Sequence, residues 1–190
     1  MLPRSVLAAA VLGLVTVPAL AHPGHAGDAH SFAAGVAHPL LGIDHVLAMV
    51  TVGLWAALLG GRAVWRVPAA FVLSMVGGFA LAMAGIGLPA VEPGIAASVF
   101  VLGILVAAAV RLPLAPSVLL VGLFAVLHGY SHGAGVSGGG LAFALGFVVA
   151  TALLHAVGIG LGHVLGGQRP MLVRGLGGAV AATGLLLLGS

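Results

Sequence analysis

Long apolar stretches, broken at intervals by arginine, proline and glycine, run from Ser31 to the carboxyl end of the chain. About 20 consecutive apolar residues are what an α-helix needs to cross a bilayer. The breaks place spans near 32–59, 67–87, 93–111, 115–132, 140–163 and 171–189. The expected fold class is therefore an all-α integral membrane protein, a bundle of about six transmembrane helices. Before it, Met1 to Ala21 has Arg4, an apolar run from Val6 to Val17, Pro18 and the small-residue site Ala19-Leu20-Ala21. That run is short for a span and its flanks are those of a cleaved signal peptide. The expected organisation is a signal peptide over 1–21, a periplasmic His-containing segment over 22–31 and one membrane domain over 32–190.

The arginines of the mature chain sit in or beside alternate connections: Arg62 and Arg66 after the first span, Arg111 after the third, Arg169 and Arg174 after the fifth. With arginine retained on the cytoplasmic side, both mature termini face outward, the orientation that an exported amino terminus also requires. Small residues four apart, as in Gly129/Gly133 and Gly162/Gly166, allow helix backbones to approach closely in lipid. Trp55 and Trp65 would bracket the inner interface as an aromatic belt, and Met75, Met83 and the phenylalanines read as packing residues.

Composition fits that pattern: 62% of residues are hydrophobic and 5% charged, with a mean hydropathy of +1.31. Net charge is +3 with no basic patch, so nucleic acid is not an expected partner. Cysteine is absent, which excludes disulfides, Cys-based zinc sites and thiol nucleophiles. Lysine is absent too, excluding a P-loop or Schiff-base lysine, so any transport is driven by something other than this chain's own ATP chemistry.

Against this background the polar residues inside the spans stand out. The first span carries His38-Pro39-Leu40-Leu41-Gly42-Ile43-Asp44-His45, followed by Met49. On one continuous helix His38, His45 and Met49 share a stripe, with Asp44 about 100° round from His45. Pro39 would break the helix near His38 and free carbonyls there. An unpaired carboxylate at the bilayer centre costs at least roughly 2.5–3.5 kcal/mol, so Asp44 points to function. The competing role is packing, with Asp44 accepting a hydrogen bond from a histidine or from Trp55.

The fourth span ends in Leu127-His128-Gly129-Tyr130-Ser131-His132-Gly133, whose histidines lie one turn apart on one face, a bidentate metal-site spacing. In the topology above this end is outward, so His38, His128 and His132 with Glu92 would form an outer funnel above Asp44 and His45. Glu92 serves equally well as the first turn of a helix. His155, mid-span in the fifth helix, would suit an exit route. His163 reads as a packing residue, and His22, His25 and His30 form only a compositional metal signal.

The pattern His38-x5-Asp44-His45, then Ala48-Met49 and Val52-Gly53-Leu54-Trp55-Ala56, resembles the signature of the HupE/UreJ family of bacterial membrane proteins. The resemblance continues through Val91-Glu92-Pro93-Gly94-Ile95 and Leu127-His128-Gly129 to His132-Gly133, and covers essentially the whole mature chain. Members are regarded as secondary permeases of the bacterial inner membrane for nickel, in some cases cobalt, serving hydrogenase or urease maturation. The resemblance implies that His38, Asp44, His45, His128 and His132 are transport residues. The family's second motif begins with Phe, has Ala before its second His and ends in Glu; this chain has Leu127, Ser131 and Gly135 there. One carboxylate of the implied outer site is thus missing.

Imidazole and carboxylate without thiolate suit Ni(II), Co(II), Zn(II) or Cu(II), and the choice of nickel rests on the resemblance. The expected partners are a divalent metal ion, as transported ligand, and the lipid bilayer. No prosthetic group is expected, and homo-oligomerisation is left open. Two rival functions use the same residues. A zinc-dependent intramembrane hydrolase would need a metal with an open position on the His/Asp cluster. A rhomboid-like serine protease would use Ser137 in Gly135-Val136-Ser137-Gly138 with His155 or His163 as base.

Overall fold

A computed structural model describes residues 31–134 and 140–189. The expected signal peptide, the histidines at 22, 25 and 30, and the residues Gly135 and Ser137 lie outside the described residues. Among those described there are seven helices and no strand: α1 (Phe32–Leu41), α2 (Ile43–Leu59), α3 (Ala63–Met83), α4 (Val91–Ala107), α5 (Leu114–Gly133), α6 (Gly140–Gly166) and α7 (Pro170–Leu188).

Four of them, α3, α5, α6 and α7, are long and apolar enough to cross a membrane, and the bent pair α1 and α2 makes a fifth crossing if counted as one. With 17 residues, α4 is the short one. It extends about 25 Å against a hydrocarbon core of about 30 Å. Exposed leucines such as Leu73, Leu119 and Leu186 cover the outside, as helices solvated by lipid chains require.

The expectation of one continuous first span needs correction. Its two halves meet at 86°, and the break lies at Gly42 rather than at Pro39, which is tolerated inside α1. Gly42 leaves helical geometry at φ −92°, ψ 114°. A Cβ there would come within 2.8 Å of both Asp44 Oδ1 and His45 Nδ1, so the chain bends at the one residue that leaves room for that pair. His38 and His45 therefore do not lie on one helical stripe, and Met49 is fully buried in the core.

The helices pack as pairs whose backbones touch through glycine. On α2 and α6, Gly53 lies against the His155 carbonyl and Gly158 against that of Val50. On α3 and α5, Gly78 meets the Val126 carbonyl and Gly129 that of Met75. Gly103 on α4 packs on Ala181 of α7, and Gly184 on Phe100. Followed further along each pair, the contacts advance together on α2 and α6 (Gly158 at Val50, Gly166 at Leu58) and on α3 and α5 (Gly122 at Ser74, Gly133 at Phe79), so these pairs are parallel. On α4 and α7 they run in opposite order (Gly184 at Phe100, Gly177 at Ala107), and α1 crosses the start of α6 with Gly35 against Phe143. Apolar surface gains nothing by leaving lipid, so close backbone approach and dispersion replace the hydrophobic effect as cement. Gly129, Gly133 and Gly162 lie at such contacts, as their spacing predicts, while Gly166 meets only the Leu58 side chain.

Trp55 is another correction. It is fully buried, and its indole N–H donates to the Val110 carbonyl at 2.9 Å. Arg174 Nε donates to the Ala107 carbonyl at 2.8 Å. Together they satisfy carbonyls at the end of α4, where Ala109 has turned left-handed (φ 52°). Met83 is exposed, in contrast to buried Met75. Gly129→Val should cost about 1–3 kcal/mol by forcing α3 and α5 apart, read as earlier denaturation in detergent. Gly77→Ala, whose added methyl meets nothing within 4 Å, should leave the transition where it is.

Candidate metal-binding site

The helix pairs bring together at one end of the bundle five of the seven site residues read from the sequence. Asp44 and His45 open α2, where a carboxylate also complements the helix dipole. His45 Nδ1 lies 2.8 Å from Asp44 Oδ1. Its Nε2 lies 2.5 Å from His132 Nε2, and its ring meets His128 edge-on with centroids 5.2 Å apart. His38, from the crossing helix α1, reaches the same cluster and packs edge-on against His132 at 4.6 Å. The i, i+4 spacing on α5 thus delivers both histidines to His45. Asp44 pairs with His45; the indole of Trp55, the other partner considered for it, turns to Val110.

Proton logic fixes what these rings offer. A carboxylate only accepts, so in neutral His45 the hydrogen sits on Nδ1 and the Nε2 lone pair is bare. His132 Nε2–H then donates to it. The Phe124 carbonyl likewise accepts from His128 Nδ1 at 3.0 Å, so His128 Nε2 carries a lone pair, and this nitrogen is buried with no hydrogen-bond partner. An imidazole oriented by a carboxylate or carbonyl on one nitrogen, with the other bare, is the arrangement of metal-ligating histidines. Among the described residues, no group of three or more His, Asp or Glu side chains already surrounds a single ion position. The His45 and His132 nitrogens are too close for that. Metal–nitrogen bonds of about 2.0–2.1 Å hold two imidazoles about 3 Å apart or more, so the rings must part to admit an ion.

Phe143 and Phe147, one turn apart on α6, wall the cluster: Phe147 lies 4.5 Å from His132 and Phe143 5.5 Å from His38, centroid to centroid. Neither aromatic is singled out by the sequence, although their i, i+4 spacing is the available signal. Phe71, also unmarked, touches His128 from α3.

Glu92 stands apart from the histidines, exposed in the first turn of α4. It shares with Asp44 a cleft of about 300 Å³ closed by Pro93, Ile95 and the end of α7. It opens a helix, as one of its two sequence readings has it, and its cleft reaches the cluster at Asp44. His155 is not in the cluster. It lies two turns deeper than Phe147 on α6, 2% exposed, with its ring against Phe71. His163 is exposed near the end of the same helix.

No solved structure matches this chain. Protein HupE of Rhizobium leguminosarum bv. viciae is 45% identical over 181 residues, covering 93% of this chain and 94% of that protein. The family model for HupE / UreJ proteins matches residues 9–187. With a helical membrane bundle, the His38/Asp44/His45 cluster at its end and similarity along almost its whole length, the chain belongs to the HupE/UreJ family.

Proposed function

We propose that this protein is a secondary permease that carries a divalent transition metal, Ni²⁺ first and Co²⁺ next, from periplasm to cytoplasm for hydrogenase or urease maturation. The observation that carries it is the pair of oriented imidazoles 5.2 Å apart, centroid to centroid: His45, held by Asp44, whose Nε2 lone pair is shared with His132, and His128, held by the Phe124 carbonyl, whose Nε2 has no partner. Family membership supports nickel over the other borderline metals that imidazole and carboxylate would take.

In this reading Glu92 and Asp44 attract the hydrated cation into their shared cleft. His38, His45, His128 and His132 replace part of its water as the rings part, and the ion leaves inward past His155. The chain crosses the inner membrane six times, with α1 and α2 as a broken first span, α4 as a short one, and both mature termini periplasmic after removal of residues 1–21. The arginines at 62, 66, 111, 169 and 174 support that orientation by the positive-inside rule. An inside-negative potential releases roughly 4.6 kcal/mol per 100 mV for a dication, twice the single-charge value. That is enough for accumulation without ATP, a coupled ion or a prosthetic group.

Sealed proteoliposomes loaded with a metal-sensitive dye test this directly. Ni²⁺ should enter when the interior is made negative, and Asp44→Asn should lower the initial rate at least tenfold. Metal bound tightly but never delivered to the lumen would instead indicate a metal-dependent enzyme or an accessory binding protein. Gly42→Ala removes no ligand but crowds Asp44 Oδ1 and His45 Nδ1, and uptake should fall severalfold with the fold intact by detergent chromatography. Because protonated imidazole cannot ligate, uptake should also decline once the external pH is low enough to protonate the cluster. A rate that stays constant down to the acid limit at which the liposomes remain sealed would argue against histidine ligation.

A further inference from the structure

Three buried side-chain nitrogens among the described residues have no hydrogen-bond partner: His128 Nε2, His155 Nδ1 and His155 Nε2. Both histidines touch one ring. Phe71 lies 5.7 Å from His128 and 5.0 Å from His155, centroid to centroid. The orphaned nitrogen of the outer cluster and the two of His155 are therefore separated by a single aromatic side chain.

His155 is not placed by accident of packing. Its helix is held against α2 by Gly53, whose missing side chain leaves room for the His155 backbone carbonyl. It lies eight residues beyond Phe147, about 12 Å further along α6. One turn back, the buried Thr151 hydroxyl donates to Met75 Sδ at 3.7 Å, and Met75 is itself one turn from Phe71 on α3. An imidazole, a hydroxyl and a thioether thus lie within a turn of one another on the facing sides of α3 and α6. An imidazole used only for packing would engage at least one of its nitrogens, because each buried polar atom left unpaired costs about 1–3 kcal/mol. Neither nitrogen of His155 has a hydrogen-bond partner, so its lone pair, of the type that borderline transition metals accept, is unused.

We infer that His155 is a second, inner transit station for the transported cation, reached from the His45/His128/His132 cluster when the Phe71 ring swings aside, with Thr151 and Met75 lining the step between. The inference rests on the permease reading and deepens it. The two stations, each in contact with the Phe71 ring, are occupied in turn rather than together, since two dications that close in a medium of effective dielectric about 20 repel strongly. The Phe71 ring separates the two stations except when it swings aside for the transfer.

The test uses purified full-length protein, with Ni²⁺ as probe. In proteoliposomes, His155→Gln should retain outer-cluster Ni²⁺ affinity within about threefold while its initial uptake rate falls at least tenfold. Equilibrium dialysis in detergent supplies a readout independent of transport. His45→Ala/His132→Ala should keep one weaker Ni²⁺ per chain, and adding His155→Gln should remove it. Thr151→Val, which conserves volume, should weaken that residual binding severalfold and serves in place of His155→Gln should the latter not fold. Native uptake in His155→Gln, or residual binding indifferent to both His155→Gln and Thr151→Val, overturns the inference and leaves the permease reading standing. Native protein that neither binds nor moves Ni²⁺ overturns the permease reading itself, before any His155 variant is compared.

Discussion

The hydrogen bond between Asp44 and His45 is the interaction on which the rest of this site depends. A carboxylate among apolar helices is tolerated only with a partner that shares its charge or donates to it. Here the partner is the next residue, so the pair is formed by local geometry and needs only Gly42 to leave space for it. The consequence spreads outward. Fixing the proton on His45 Nδ1 bares its Nε2, which sets the direction of the hydrogen bond from His132 and, through the i, i+4 relation on α5, the position of His128. One carboxylate thereby fixes the tautomers of rings on two helices, a lone pair on His45 Nε2 and a hydrogen on His132 Nε2, while the Phe124 carbonyl leaves the lone pair on His128 Nε2.

That arrangement holds only if the helices stand close enough for short side chains to meet, and the glycines provide this. Gly129 is next to His128 in sequence and lies against the Met75 carbonyl, so the contact that joins α3 to α5 is also the one that brings His128 onto Phe71. Gly53 does the same for α2 and α6 at His155. In a membrane, where apolar burial gives little drive for association, scaffold and site share these contacts. A bulky residue at either glycine would displace a functional ring along with the helix carrying it.

Much of this was legible from the residues alone. The polar positions inside apolar runs, His38, Asp44, His45, His128 and His132, stand out because lipid makes such groups costly, and the bundle does gather them. Less legible was anything decided by tertiary packing. Pro39 is the stronger helix breaker on paper, yet the bend falls at Gly42 because the Asp44–His45 pair needs the space there. Trp55 resembles a belt residue by position but is buried, since the end of α4 has carbonyls to satisfy. Phe71, Phe143 and Phe147 carry no signal in a chain this apolar, and their part emerges only from the rings they face.

Charge gives the bundle a direction. Asp44 and Glu92, the carboxylates among the described residues, share one cleft. At the opposite end Arg111 and Arg174 share a smaller pocket of about 130 Å³ between α4 and α7. A cation approaching the first end meets attraction, then neutral imidazoles that can replace water one ligand at a time, then the apolar stretch around Phe71. On the proposed permease reading the arginines mark the cytoplasmic end, where their charge would slow the ion's exit and its return alike. Fixed charges of this kind set where the cation is captured and how fast it passes, while the net direction comes from the membrane potential and the metal gradient, which is why a carrier without its own energy source can still accumulate its ion.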